Sequence, residues 1–176
     1  MRSVVLSAAI TLDGYIARPD GAVDYLVMPK GFSMAAFYAT VDTAVMGRKT
    51  FDVALKLSGG KFSNPSMANY VFSRSEPPGE HDGVIFVNQS PAAFIRQIRK
   101  RKGKDIWLMG GGELARDFLK ADLVDELHLG VVPLALGAGI PLFPGGFPQR
   151  DFKLVENKTY SKGSIMLKYK RSRKQK

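Results

Sequence analysis

Two short apolar runs end in glycine and then open onto helix-like segments. The first reads Ala44-Val45-Met46 into Gly47-Arg48-Lys49-Thr50-Phe51. The second reads Ile106-Trp107-Leu108-Met109 into Gly110-Gly111-Gly112-Glu113-Leu114. A strand that turns through glycine into a helix presents unpaired backbone N–H groups and the positive end of the helix dipole, which together suit phosphate. Glycine lets the backbone approach the anion closely, Arg48 and Lys49 add charge, and Thr50 adds a hydroxyl. Two such ends in one small domain suit a ligand with several phosphates, such as a dinucleotide. Each turn has a plainer reading: exposed cations beside a glycine turn, or glycines that allow a helix to pack tightly. Three consecutive glycines are more permissive than packing alone requires, because each adds unfolded-state entropy. The second turn is not the Gly-x-Gly-x-x-Gly of the common dinucleotide fold, and no acid ends a second strand at that fold's spacing.

A third candidate is Ser73-Arg74-Ser75, which follows an apolar run. Hydroxyls and a guanidinium there suit the 2′-phosphate that separates NADPH from NADH, or simply finish a strand. Asp13, in Asp13-Gly14, is the candidate to deliver a proton or orient a water; an aspartate in an Asp-Gly turn is the alternative. A metal site is not expected. The chain has no cysteine, and its two histidines, His81 and His128, lie far apart with no carboxylate cluster around them.

These residues need elements to hold them. Val4 to Ile10 reads as a buried strand, and Thr11 to Ala17 begins a loop. Phe32, Ala36, Phe37, Thr40 and Val41 fit helical spacing. Strands are expected at 43–46, 69–73, 84–87, 105–109 and 125–132. Helices are expected after Gly47, after Ser90-Pro91 (a capping serine with proline at the first helical position) and after the triple glycine. Residues 137–146 read as loop, and 154–169 as a hairpin turning at Ser161-Lys162-Gly163. Strands alternating with helices predict an α/β fold with a largely parallel sheet, made antiparallel at one edge by the hairpin.

With 176 residues the chain is expected to form a single domain over 1–170 and to end in a basic tail, 171–176. A domain of this size buries roughly 70% of its unfolded surface and needs no covalent staples. The net charge of +10 looks like a nucleic-acid signal until it is mapped. Six cations lie between Arg96 and Lys104 and six between Lys168 and Lys176; without them 14 basic residues face 16 acidic ones. The excess is one helix end and one tail, without interleaved aromatics, so nucleic-acid binding is not the expectation. Asp13-Gly14 interrupts the apolar N-terminal run and no small-residue cleavage site follows, which favours a strand over a signal peptide. No run approaches a membrane span, and a cytoplasmic location is expected.

Taken in order, these pieces resemble the dihydrofolate reductase-like fold family, and within it the reductase (RibD C-terminal) domain of riboflavin biosynthesis. The residues that carry the likeness are Leu12 to Ala17, Met46 to Phe51, Phe72-Ser73-Arg74, Ile106 to Leu119, Val124-Asp125-Glu126-Leu127 and Pro133 to Phe143. The resemblance implies a three-layer α/β/α domain that binds NADPH and reduces a small molecule, similar to 5-amino-6-(5-phosphoribosylamino)uracil reductase. It puts Gly47, Arg48, Lys49 and Thr50 on the phosphates, and Ser73 and Arg74 near the 2′-phosphate. Gly110, Gly111, Gly112, Glu113 and Leu114 would run along the pyrophosphate and nicotinamide ribose. Ala8, Ala9 and Ile16 would line the nicotinamide, with Asp13 on a mobile loop at the mouth. It also implies a homodimer through the closing hairpin.

The substrate side departs from the family. Dihydrofolate reductases carry an acid on the first helix; here Ser33 takes its place, and Asp42 lies too close to the next strand to substitute. Riboflavin-pathway reductases carry an Asp-Asp-Pro and a downstream Leu-Thr-x-Arg stretch after the phosphate turn, where this chain reads Phe51-Asp52-Val53-Ala54-Leu55-Lys56. Folate reduction is therefore disfavoured, and a non-catalytic NADPH-binding protein stands as the alternative to an enzyme.

Overall fold

Side-chain alternation along the strands sorts apolar residues onto two faces of one sheet. The computed structural model describes every residue except Ser63, Pro65, Asp82 and residues 174–176. Its elements in order are β1 (Val4–Thr11), β2 (Tyr15–Ala17), α1 (Ala35–Tyr38), β3 (Val41–Gly47), α2 (Arg48–Leu57), β4 (Ala68–Phe72), β5 (Gly79–His81), β6 (Val84–Val87), α3 (Pro91–Ile98), β7 (Asp105–Gly110), α4 (Gly112–Lys120), β8 (Glu126–Val132), β9 (Ile140–Pro141), β10 (Phe152–Thr159) and β11 (Ile165–Arg171).

Nine strands form the main sheet in the order β10-β11-β8-β1-β7-β3-β4-β6-β5. The run from β8 to β6 is parallel, and β11 joins β8 antiparallel. Val4 and Leu6 of β1, Ile106 and Leu108 of β7 and Val45 of β3 pack beneath α3 and α4 with Phe94, Ile98, Phe118 and Leu119. On the other face Ala44, Met46, Val71 and Phe86 pack against Phe51 of α2, with Phe37 and Trp107 beside them. The result is the expected three-layer α/β/α domain. At α3, Ser90 Oγ accepts the Ala93 N–H at 3.3 Å and Pro91 occupies the first turn, as the sequence indicated. No helix among the described residues is long and apolar enough to cross a membrane.

Several expectations change. The segment from Phe32 to Val41 is not one helix. Only Ala35–Tyr38 is helical, Gly31 takes φ +80°, and Val41 already belongs to β3. Thr40 ends the helix by returning its N–H and hydroxyl to the Phe37 carbonyl at 2.9 and 2.7 Å. The loops expected around Tyr15 and Ile140 instead pair as a small second sheet, β2 with β9. Both edges of the main sheet are antiparallel, not one, because β5 folds back on β6. Three exposed residues after Pro77-Pro78 carry no periodicity to betray that strand.

The first residues of the expected basic tail are held to the fold. Strand β11 runs through Arg171, whose guanidinium donates to Asp122 at 2.8 Å, and Arg173 donates to Asp125 at 2.9 Å. Lys168 pairs with Glu156 at 2.8 Å. These cations are structural partners of distant acids rather than a solvated tail; Lys174 and Lys176 lie outside the described residues.

Candidate functional site

The register of the parallel sheet brings the two glycine turns together. Strands β3 and β7 are neighbours with Met46 opposite Gly110, and β4 lies on the other side of β3 with Phe72 opposite Gly47. Three strand ends therefore stand in a row, carrying the triple glycine, the Gly47 turn and Ser73-Arg74. A Cβ placed on Gly47 would lie 3.8 Å from the Gly111 nitrogen and 3.9 Å from the Gly110 oxygen. One on Gly111 would lie 3.3 Å from Thr50 Oγ1 and 3.9 Å from Ile16 Cδ1. Neither α2 nor α4 has a side-chain cap on its first turn, so both helix starts face the same gap without a side-chain acceptor. Gly110 takes φ +110°, a conformation that disfavours any side chain. Gly112 answers a different need: a Cβ there would fall 2.3 Å from the Pro141 oxygen, so glycine lets residues 133–143 pack onto the start of α4.

The expected phosphate contacts are not equally available. Lys49 and Arg74 are exposed and form no ion pair among the described residues. Arg48 is committed: its Nε donates to Asp52 at 2.8 Å, its Nη1 bonds Glu76, and both carboxylates hold the guanidinium charged. That pair ties the start of α2 to the turn after β4. Ser73 is buried, and its hydroxyl accepts the Ser75 and Glu76 N–H groups at 3.3 and 3.0 Å. It shapes the turn that carries Arg74. Leu114 is buried with its Cβ beside Gly47, while Glu113 is exposed in the first turn of α4, where an acid favours the helix but opposes a neighbouring phosphate. The backbone at these two positions, not the side chains, is what a pyrophosphate could use. Alternation also separates Ala8 from Ala9. Ala8 packs into the α3/α4 core, whereas Ala9 stands beside Gly130 on the opposite face, so the two side chains cannot line one pocket.

Asp13 is not on a free loop. Its carboxylate accepts the Thr11 hydroxyl at 2.6 Å and the Gly137 and Leu136 N–H groups at 2.8 and 3.2 Å. The Thr11 hydrogen bond leads the causes that hold this carboxyl below its ordinary range. At neutral pH it is an acceptor that fastens residues 133–137 to the β1–β2 turn, and a poor proton source. Nearby, the Tyr25 hydroxyl is buried without a partner, the one such side-chain atom among the described residues. Desolvation raises its pKa, so it remains a donor.

The face of β1, β8 and β11 that α2 leaves uncovered gathers residues to which the sequence alone gives no common role. Phe37 stacks edge-on to Trp107 and His128, with centroids 5.5 and 5.7 Å apart. His128 Nε2 lies 3.0 Å from Glu126 Oε2, and desolvation holds the imidazole below its ordinary pKa despite that carboxylate. It is therefore neutral at pH 7. Phe32 packs edge-on against Tyr160 beside the hairpin turn, centroids 5.6 Å apart. His128 and Glu126 sit two apart in an alternating strand, which marks a shared face; nothing in the sequence indicated that Phe37 would close over it.

The family model for the RibD C-terminal domain matches residues 2–166. The uncharacterized protein YwjB of Bacillus subtilis (strain 168) is 36% identical over 174 residues, 97% of this chain and 99% of the relative. A solved protein of Shewanella sp. PV-4, provisionally named for riboflavin biosynthesis, is 28% identical with a TM-score of 0.84 and covers 97% of this chain and 99% of its own. A dihydrofolate reductase of Enterococcus faecalis, solved with NADP(H), has a TM-score of 0.71 at 16% identity over 97% of each chain, a likeness of fold.

Proposed function

The chain belongs to the RibD C-terminal domain family, and from that premise we propose that it is an NADPH-dependent reductase of a small heterocyclic substrate. The observation that carries this reading is the convergence of two uncapped helix starts across a gap that only glycine leaves open, 3.8 Å from a Gly47 Cβ to the Gly111 nitrogen. That gap fits a pyrophosphate held by backbone N–H groups, with Lys49 at its rim. Arg74, exposed on the turn that Ser73 shapes, is the residue assigned to the 2′-phosphate. Ile16, against Gly111, and Ala9 would bound the nicotinamide.

NADPH supplies the hydride when bound; the protein supplies position and electrostatics. The substrate is assigned to the half-exposed face between Ala9, His128, Trp107 and Phe37, where a planar ring can lie against aromatic walls. A neutral imidazole oriented by Glu126 can hydrogen-bond a heterocyclic nitrogen or carbonyl there. A ribosylamino-pyrimidine is the substrate type that the family suggests. Asp13 fastens the loop over the cofactor's mouth rather than giving up a proton. Strand β10 is exposed along its length, with Leu154 and Val155 outward, and is the edge proposed to pair in a homodimer of a cytoplasmic protein.

Calorimetric titration with NADPH and NADP⁺, followed by NADPH oxidation with an aminopyrimidine ribosyl phosphate, dihydrofolate and a panel of imines and carbonyls, tests the reading. Binding of NADPH with turnover of a heterocycle is expected. Absence of binding by either dinucleotide overturns it, and tight binding without turnover of any compound leaves a non-catalytic NADPH-binding protein.

A further inference from the structure

The parallel strands begin at the end of the sheet away from the glycine turns, and a second concentration of charge lies there. The connection from α3 to β7, Arg99-Lys100-Arg101-Lys102-Gly103-Lys104, passes over the starts of β1 and β3. Two recesses open at this end, of about 220 and 390 Å³, and Arg2, Arg101 and Lys102 line both. The acids around them are already engaged. Asp42 accepts the Lys104 N–H at 2.7 Å and pairs with Arg2. Asp105 accepts the Ser3 N–H at 2.7 Å. Asp125 accepts the Val4 N–H at 2.8 Å and pairs with Arg99 at 2.5 Å. These carboxylates complete the backbone at the strand starts and neutralise the two inner arginines.

The outer cations are left over. Arg101 reaches only the Tyr70 hydroxyl, at 3.3 Å, and Lys100, Lys102 and Lys104 form no ion pair among the described residues. Cations stabilise a helix C-terminus through its dipole, but that effect fades beyond the last turn, and Arg101 to Lys104 lie past it. The floor of the cleft is built rather than fluid. Arg2 is 8% exposed, and its Nε and Nη2 donate to the Lys104 carbonyl and Thr43 Oγ1, each at 2.6 Å. A Cβ on Gly103 would fall 2.5 Å from Asp42 Oδ2 and 2.9 Å from Arg2 Cζ, so glycine is what lets the basic loop lie on this pair.

We propose that this cleft is a second anion site, separate from the glycine-turn gap, which takes a small phosphorylated molecule carrying two or more negative charges. A fixed guanidinium, a tyrosine hydroxyl and two uncompensated cations line the smaller recess, whose volume of about 220 Å³ suits a compact anion rather than a drug-sized ligand. A polynucleotide fits less well. The charge is confined to one loop, and Tyr70, the aromatic residue lining the recess, is only 7% exposed and offers no face for base stacking.

The test is a ¹H–¹⁵N NMR titration of the full chain with inorganic pyrophosphate at constant ionic strength. Saturable shifts are expected at the amides of Tyr70 and Arg101 to Lys104. The double variant R101A/K102A changes two exposed side chains, so it is expected to keep the fold. It should weaken those shifts at least tenfold while leaving any shifts at Gly47 and Gly110 unchanged; Tyr70→Phe should weaken binding to a smaller degree. Linear shifts that sodium chloride reproduces, or full affinity in R101A/K102A, overturn the proposal. So does tighter binding of a single-stranded oligonucleotide than of pyrophosphate at the same amides.

Discussion

Gly47→Ala separates the fold from the proposed cofactor gap. Gly47 is the N-cap of α2 with φ −80° and ψ 159°, an extended conformation open to alanine, and nothing lies closer than 3.8 Å to the added methyl. Alanine is a poorer N-cap than glycine by up to about 1 kcal/mol. The stiffer unfolded chain offsets about 0.4–1 kcal/mol of that. The net change in stability should stay within about 1 kcal/mol, or roughly 2–4 °C in Tm for a chain of this size. Binding should respond quite differently. The methyl occupies the space between the two helix starts and holds a phosphate away from at least one backbone N–H. A hydrogen bond to a charged group is worth about 1.5–3 kcal/mol, so the NADPH Kd should rise about ten- to a hundredfold. Thermal unfolding followed by circular dichroism and NADPH titration followed by fluorescence give the two numbers. Wild-type affinity in the variant would refute the assignment of the gap. A Tm loss well beyond the stated range would refute the geometry from which it was derived.

Three further outcomes are expected. Arg74→Ala should weaken NADPH by about tenfold, the value of one charge-assisted contact, and leave NADH nearly unchanged; equal losses in parallel titrations would remove Arg74 from the 2′-phosphate. Gly112→Ala sets a Cβ 2.3 Å from the Pro141 oxygen, and an overpacked contact of this kind should cost roughly 1–3 kcal/mol, read as a lower urea midpoint; an unchanged midpoint would show that residues 133–143 yield freely. His128, held below its ordinary pKa mainly by desolvation, binds its proton less readily folded than unfolded. The stability it confers is complete above its unfolded value of about 6.5 and declines as pH falls from there toward the folded value. Urea unfolding at pH 7.5 and 5.5 should therefore show a larger loss for the wild type than for His128→Gln, and equal losses would place the imidazole in solvent.

The sequence by itself determined the α/β plan, the order of the major strands and the two glycine turns, because these depend on local periodicity and on backbone freedom at single residues. Val4 to Ile10 declares a strand by its own composition, and Ser90-Pro91 declares a helix start by its own chemistry. Only the tertiary structure decided which residues meet. The β3–β7 register makes neighbours of Gly47 and Gly111; other long-range contacts commit Arg48 to Glu76, tie Asp13 to Gly137 and put Phe37 against His128. Whether a cation or carboxylate is free is a property of what the fold sets beside it. Arg171 and Arg173 look like a solvated tail until Asp122 and Asp125 arrive from the α4–β8 connection, about fifty residues earlier in the chain. Long-range pairing has no period, so no local window of sequence records it.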